Sequence, residues 1–519
     1  MSGTKLTREA LPESDPEDTS EELTEVVCLE SDLQDGQMME VEVGQHSVLL
    51  TRSKGQYSAI GNQCTHYGAP LSKGQNSKQQ STIRQEKRVK RMGAAVPGDT
   101  NTVLLLGGGA ASLICAETLR QENFGGRIIM VTKDDLLPYD KTRLSKVMNV
   151  ENDSILLRRM EFFQQYDIEV WLRKEAVSVD TDKKKVTFDD GLVESYDQLL
   201  ISTGCRAKGL DVPGMKLKNV LMLETPEDAR HIHKACLGCN VVLVGTSFVG
   251  MEVASYLIDK SSSVTVIGSS ELPYQNTLGR EVGKVTMMML SEKNVKFFMN
   301  DIVMEIKGVD GKVKEVVLKS GNVIQADVLI VGIGIKPNSE FLQGSKIQMD
   351  SKNFVTVDKY MRTNVPSVYC GGDLATFPLA MAKNRLVNIG HWQMAQAHAR
   401  IAALNMLGKP TELSSVPFYW TVLLGKTIRY TGYGEGYTDI VIKGKFEDMK
   451  FLVLYIKNEE VIAAASLNYD PAVSAVAERF ATGKTITKKE AESDTLSWLQ
   501  LSQSTLSCAF SLNTSSVQR

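Results

Sequence analysis

One kind of glycine loop occurs twice in this chain. It appears first as VLLLGGGAAS at 103–112 and again, 138 residues on, as VVLVGTSFVG at 241–250. Each copy follows an apolar run with strand character and opens a run with helix character. Glycine at such a point permits a turn that a side chain would block. It also leaves the backbone bare beside the first N–H groups of a helix, where negative charge is favoured. Gly107 and Gly109 lead the first loop, with Ala110 and Ala111 next and Ser112 at the third small position. Gly245, Ser247 and Gly250 hold the matching places in the second. A single loop of this kind is a weak sign. Two at domain spacing predict two doubly wound α/β domains, each holding the pyrophosphate of a dinucleotide, with electrons passing between them.

The pattern along the chain supports that division. Residues 1–24 read as an acidic disordered tail, 25–75 as short β-strands, and 76–100 as a polar linker containing the basic run RQEKRVKR. The first α/β domain is discontinuous, spanning 101–225 and 346–412, with the second inserted at 226–345. An α+β domain is expected at 413–498 and a Ser-rich disordered tail at 499–519. With 42% apolar residues, 23% charged residues and a net charge of −3, the chain is an ordinary globular protein without a nucleic-acid footprint. It has no apolar run of about 18 residues, so no transmembrane helix is expected. The acid-rich N-terminus does not read as a transit peptide, which predicts an intracellular protein of the cytoplasm or mitochondrion. Eight cysteines are too scattered for a disulfide framework. Cys236 and Cys239 form a CxxC, for which two buried structural thiols are the plainer reading.

Past the second strand stand Asp134 and Asp135, and a carboxylate there can accept ribose hydroxyls. The corresponding place in the second unit is Gly268, and no Arg occurs between 266 and 272. NADP is therefore disfavoured. Ser247 adds a side chain where a pyrophosphate must come close, so weak NAD affinity is expected.

Further motifs follow in a fixed order: LPYDKTRLSK at 137–146, STG at 202–204, TPEDA at 225–229, CGGD at 370–373, HWQMA at 391–395, IRYTGYGEG at 428–436 and LNYDP at 467–471. This order resembles the FAD-dependent pyridine-nucleotide oxidoreductases, in their apoptosis-inducing-factor and ferredoxin-reductase branch. The resemblance covers about 25–75 and 100–498. It implies FAD in the first domain, NADH in the second and a C-terminal interface domain. It also implies residue roles. Lys146 would lie beside the flavin and Glu252 near the nicotinamide, as the catalytic pair. Lys141 stands where the family often has Arg and keeps the charge without the fork geometry. Thr203 and Gly204 would form the crossing turn, and Asp373 would hold the ribityl chain. His391, Trp392 and Gln393 would flank the pyrimidine end of the ring, while Gly332 and Gly334 would line the nicotinamide pocket. Cys115 stands alone after the first helix, without a CxxxxC pair. Electrons would then leave for an outside small-molecule or protein acceptor without a thiol relay.

The N-terminal strands end in CTHYGAPL, whose Cys64 and His66 resemble half of a Rieske motif. A Rieske [2Fe–2S] centre needs two Cys and two His. After His66 no Cys occurs before 115 and no His before 231. The segment reads as a partial Rieske-like β unit, and a cluster is not expected in the monomer. A homodimer that bridged two half-sites is the assembly in which one could be completed. Three functions follow from the resemblance: an NADH-dependent flavin reductase with a pro-apoptotic association, a reductase for a separate iron–sulfur protein, and a redox-gated signalling scaffold.

Overall fold

The computed structural model describes residues 92–469 and 471–493, together with 3–5, 26–29, 33, 38–43, 46–53 and 56–61. The chain divides into two compact units, 1–85 and 86–519. In the first, Met38–Val43, His46–Ser53 and Gln56–Gly61 form an antiparallel sheet in that order. Leu50, on the middle strand, is fully buried, and Arg52 donates to the Leu33 carbonyl at 3.1 Å. Residues 3–5, expected within the disordered tail, pair antiparallel with Val26–Leu29. A strand edge offers backbone donors and acceptors to any extended segment, whatever its side chains. Cys64, His66 and the basic run lie outside the described residues.

The second unit begins with β1 (Thr102–Leu106), which runs through the first glycine loop into α1 (Ala110–Gln121). β2 (Arg127–Val131), β3 (Ile168–Trp171) and β4 (Gln198–Ile201) follow. Their near-continuous apolar runs suit a parallel sheet covered on both faces. Arg120 of α1 is fully buried and donates to the carbonyls of Phe124, Gly126, Tyr166 and Asp167. Its charge is thus spent on loop carbonyls that would otherwise go unpaired.

The chain then crosses into the coenzyme-type domain. Its elements are α2 (Pro226–Cys236), β5 (Asn240–Val244), α3 (Phe248–Leu257), β6 (Ser263–Ile267), α4 (Gly279–Ser291), β7 (Lys296–Phe298) and β8 (Val328–Val331). A capping box between Thr225 and Asp228 starts α2. Val220–Leu221, β8, β5, β6 and β7 form one parallel sheet in that order. The outgoing strand Cys205–Ala207 and the returning strand Ile335–Pro337 pair antiparallel at the crossing. β9 (Val368–Cys370) then rejoins the first sheet beside β4, giving the order β9-β4-β1-β2-β3. α5 (Trp392–Met406) packs on α1.

The last domain is an antiparallel sheet of β10 (Phe418–Leu423), β11 (Lys426–Gly432), β12 (Asp439–Lys445), β13 (Lys450–Lys457) and β14 (Glu460–Leu467), ordered β10-β11-β14-β13-β12. α6 (Ala472–Ala481) covers one face. The other face shares a core with the coenzyme-type domain: Leu423, Ile428, Phe451 and Tyr455 join Val241, Leu243, Met251 and Leu257, together with Tyr139 and Leu144 of the LPYDKTRLSK segment. Each such side chain contributes roughly 1.5–3 kcal/mol by leaving water. That shared core fixes three chain segments against one another at the site.

Candidate functional site at the junction of three domains

Gly107 has φ +124°, and its N–H donates to the Val131 carbonyl at 2.8 Å. A Cβ there would lie 2.2 Å from the Ser202 carbonyl oxygen, so only glycine fits. Gly109 is the N-cap of α1, and no side chain caps the helix. A Cβ on it would meet nothing within 4 Å, so bare backbone faces an open cradle at the helix start. Ser112 is fully buried and hydrogen-bonded to Ser202 Oγ at 2.8 Å. It ties α1 to β4 rather than facing the cradle. Ala110 and Ala111 are buried in the first turn. Asp134 is half-buried, with its N–H on Thr132 Oγ1 and its carbonyl accepting from Arg173, whereas Asp135 is exposed. Of the two, Asp134 is the one held in place.

The second loop keeps the turn and crowds the approach. Gly245 has φ +119°, and a Cβ there would sit 2.0 Å from the Gly332 carbonyl oxygen. A Cβ on Gly250 would lie 2.0 Å from the Gly245 carbonyl oxygen. These three glycines pack as one knot. Ser247 caps α3 by position without a side-chain bond. At Gly268 a Cβ would meet Thr246 Cγ2 at 2.7 Å and Met299 Cε at 2.8 Å. The place of a ribose-binding acid is therefore partly filled by Thr246. Gly334, φ +130°, opens onto free space.

Between the loops lies a buried ion pair. Lys146 Nζ is 2.9 Å from Glu252 Oε2, with the two side chains 15% and 4% exposed. Lys146 also donates to the Thr142 carbonyl at 2.8 Å, and Ser145 Oγ donates to the same carboxylate oxygen. Thr421 Oγ1 donates to the other oxygen, Oε1, at 2.8 Å. His391 stacks on Tyr419 with centroids 4.0 Å apart and an interplanar angle of 3°, and Phe248 abuts both edge-on. Desolvation, aided by the Lys146 charge, pushes the His391 pKa down to about 4, so its ring is neutral at pH 7.

Three polar groups in this cleft lack partners among the described residues. Trp392 Nε1 and Gln393 Oε1 are buried without a hydrogen bond. The half-buried Asp373 carboxyl accepts no hydrogen bond from the described residues, and desolvation pushes its pKa up against the opposing charge of Lys141. Buried polar groups are rarely left so. Thr203 Oγ1 donates to the Asn338 carbonyl at 2.7 Å, and Asn338 Nδ2 donates back to the Thr203 carbonyl at 3.0 Å. Gly204, φ +65°, accepts from Asn338 N. These bonds lock the crossing. The described cysteines 115, 205, 236, 239 and 370 are all free. Burial pushes Cys236 up to about 12, an unreactive thiol at the C-terminal end of α2.

The sequence pointed to neither Tyr419, Thr421 nor Tyr274. They lie in strand and loop context with no glycine or charge signature. Ser145 sat inside the quoted LSK without a role.

Two parallel nucleotide-type sheets, a buried lysine–glutamate pair between them and an unpartnered polar cleft define an NAD(P)H oxidoreductase. The chain belongs to the pyridine nucleotide-disulphide oxidoreductase family, whose model matches residues 101–399. A Rieske [2Fe-2S] domain model matches 24–84 and a reductase C-terminal model 418–501. Among similar proteins is apoptosis-inducing factor 3 of Homo sapiens, 44% identical over 515 residues, covering 90% of this chain and 85% of that one. Another is the rubredoxin-NAD(+) reductase of Pseudomonas putida, 30% identical, covering 70% of this chain and 95% of that one. Of solved structures, the ferredoxin reductase for the CYP199A2 system from Rhodopseudomonas palustris is similar, with a TM-score of 0.73 and 26% identity, covering 77% of this chain and 98% of that one.

FAD and NADH are the cofactors of this family, and the cleft fits FAD. Its orphaned indole N–H, amide oxygen and carboxyl are the donors and acceptors that a ring edge and a polyhydroxy chain would satisfy. The N-terminal segment does not fit a complete Rieske cluster. Its one Cys-x-His motif, Cys64 and His66, supplies two ligands where four are required, and no second such motif follows in residues 24–84. Among the described residues no helix is long and apolar enough to cross a membrane.

Proposed function

We propose that this protein oxidises NADH and passes the electrons, one at a time, to a separate iron–sulfur protein. The observation that carries the reading is the Lys146–Glu252 pair, buried where the two nucleotide sheets meet. The similar rubredoxin-NAD(+) reductase and ferredoxin reductase support the class of acceptor. The incomplete cysteine–histidine set in this chain favours an external cluster over an internal one.

Gly107, Gly109, Ala110, Ala111 and Ser112 shape the loop that would hold the FAD pyrophosphate, and Asp134 would take its adenosine ribose. Asp373 would hold the ribityl hydroxyls, with Lys141 balancing its charge. Thr203 and Gly204 would line the turn beside the ring. Trp392 and Gln393 would hydrogen-bond the pyrimidine edge, where α5 begins and its N–H groups favour negative charge. FAD held by these residues would supply acceptance of two electrons from NADH and their release one at a time. Lys146 keeps a fixed positive charge in a site that excludes water, where it counts for more than in solution. Glu252 holds that ammonium in place. Neutral His391 adds no competing charge. Gly245, Ser247, Gly250, Gly332 and Gly334 would shape the NADH site.

An anaerobic absorbance titration with NADH, with iron assayed on the same sample, tests this. The expected result is bleaching of a flavin spectrum in an iron-free protein, and faster NADH turnover when a [2Fe–2S] ferredoxin is added. A flavin that stays oxidised would overturn it. A redox-gated scaffold is the second reading, favoured by the crowding of Thr246 against Gly268. It requires a flavin that NADH reduces too slowly for turnover.

A further inference from the structure

One carboxylate gathers donors from three domains. Glu252 sits on α3, in the coenzyme-type domain. Ser145 and Lys146 reach its Oε2 from the flavin-type domain, and Thr421 reaches its Oε1 from β10 of the C-terminal domain. Behind Thr421 stands Tyr274, whose hydroxyl lies 3.2 Å from Thr421 Oγ1. Thr421 spends its proton on Glu252, so the tyrosine is the donor in that contact. Tyr274 is 2% exposed and holds φ +55°. A bulky residue keeps left-handed backbone only where its surroundings force it. Here its N–H is fixed on the Thr246 carbonyl at 2.9 Å and its hydroxyl on Thr421. It therefore bridges the second glycine loop to the ion pair.

Packing alone does not explain Thr421. It is 1% exposed inside a strand, where valine has the same shape without a hydroxyl to desolvate. A second bond holds the same strand end to the same helix: Leu424 N donates to Ser255 Oγ at 2.8 Å. The two clips lie three residues apart on both elements, which fixes the rotation of α3 as well as its distance.

We infer that Thr421 and Tyr274 are positioning residues of the hydride site, an inference resting on the NADH-oxidising reading above. They hold one oxygen of Glu252 so that the other keeps Lys146 in place, and Tyr274 couples the pair to the loop that takes NADH. The C-terminal domain is thus part of the site.

The test uses the full chain loaded with FAD, as Thr421→Val, Thr421→Ser and Tyr274→Phe. Two measurements are made: the flavin midpoint potential by dithionite titration, which needs no NADH, and the rate of flavin reduction at saturating NADH beside the KM. Thr421→Val is expected to slow reduction about tenfold, the loss of one hydrogen bond to a charged group, with KM nearly unchanged. It should also shift the potential. Thr421→Ser should restore both, and Tyr274→Phe should fall between. Wild-type rate and potential in Thr421→Val would overturn the inference, as would Thr421→Ser being equally impaired. If Thr421→Val does not retain flavin, Tyr274→Phe decides by the same two readouts. A wild-type flavin that NADH cannot reduce would sink the functional reading alone, since the potential still reports on positioning.

Discussion

At Gly107 and Gly245 the backbone turns through nearly the same left-handed conformation, and at both a side chain would strike a carbonyl about 2 Å away. Two positions on, the loops part. Gly109 presents bare backbone to open space, whereas Ser247 presents a side chain. Past the second strand the contrast repeats, with Asp134 in one domain and Gly268, shadowed by Thr246, in the other. The turn is a demand of the strand-to-helix connection and appears twice. The ligand-facing positions answer to how tightly a dinucleotide is gripped. The first loop suits a group that stays, and the second suits one that must arrive and leave at each turnover.

The largest expected effect tests whether the loops are independent. Gly107→Ala should abolish flavin retention and destabilise the protein by about 3 kcal/mol or more, through clash and forced backbone. Gly245→Ala should keep the flavin, read by absorbance per protein, yet slow reduction by NADH at least about a hundredfold. Equal loss of flavin in both would break the comparison.

Next in size is Asp373→Asn. The amide should weaken flavin binding by about ten- to a hundredfold, as lost charge-assisted hydrogen bonds do. It should also alter the flavin-free protein in the opposite direction. Because the folded carboxyl pKa is raised, the folded state binds its proton more tightly than the unfolded chain. The contribution of this carboxyl to stability is then fully present below its ordinary value, near 4, and is lost as pH rises through the folded value. Urea unfolding of both apo-proteins should therefore show Asp373→Asn more stable than the wild type at pH 7 and no more stable at pH 4.

A smaller effect sharpens the contrast at the strand ends. Gly268→Glu alone should weaken NADH binding, because its Cβ meets Thr246. With Thr246→Gly added, the new carboxylate has room and the KM for NADH should drop about tenfold. An unchanged KM in the double variant would mean that the ribose lies elsewhere. Smallest is Ser247→Gly, expected to lower that KM about two- to threefold while leaving flavin content untouched.

Both glycine loops were legible in the sequence because a turn that excludes side chains leaves glycine behind. Lys146 and Glu252 were legible as separate residues through the motifs around them. Their pairing was not, since 106 residues separate them and no periodicity joins a loop lysine to a helix glutamate. Asp134 and Asp135 were equivalent on paper, and the burial and backbone bonds of Asp134 distinguish them. Thr421 was hidden for another reason: a threonine in a strand is ordinary, and its meaning comes from a helix of a different domain. Tyr274 left no trace because its unusual feature is a backbone angle.

The return of the chain to its first sheet sets an order of events during synthesis. Residues 220–331 contain every strand of the coenzyme-type sheet in one continuous stretch. The other sheet waits for Val368–Cys370, and its cleft waits further for Asp373 and α5. At ribosomal speed the interval between β4 and β9 is on the order of ten to thirty seconds. Throughout it, one edge of β4 stands without its neighbour while the inserted domain can already close. The part of the molecule that comes first in sequence is therefore finished late, and its cofactor cleft is complete only after the whole inserted segment has been synthesised.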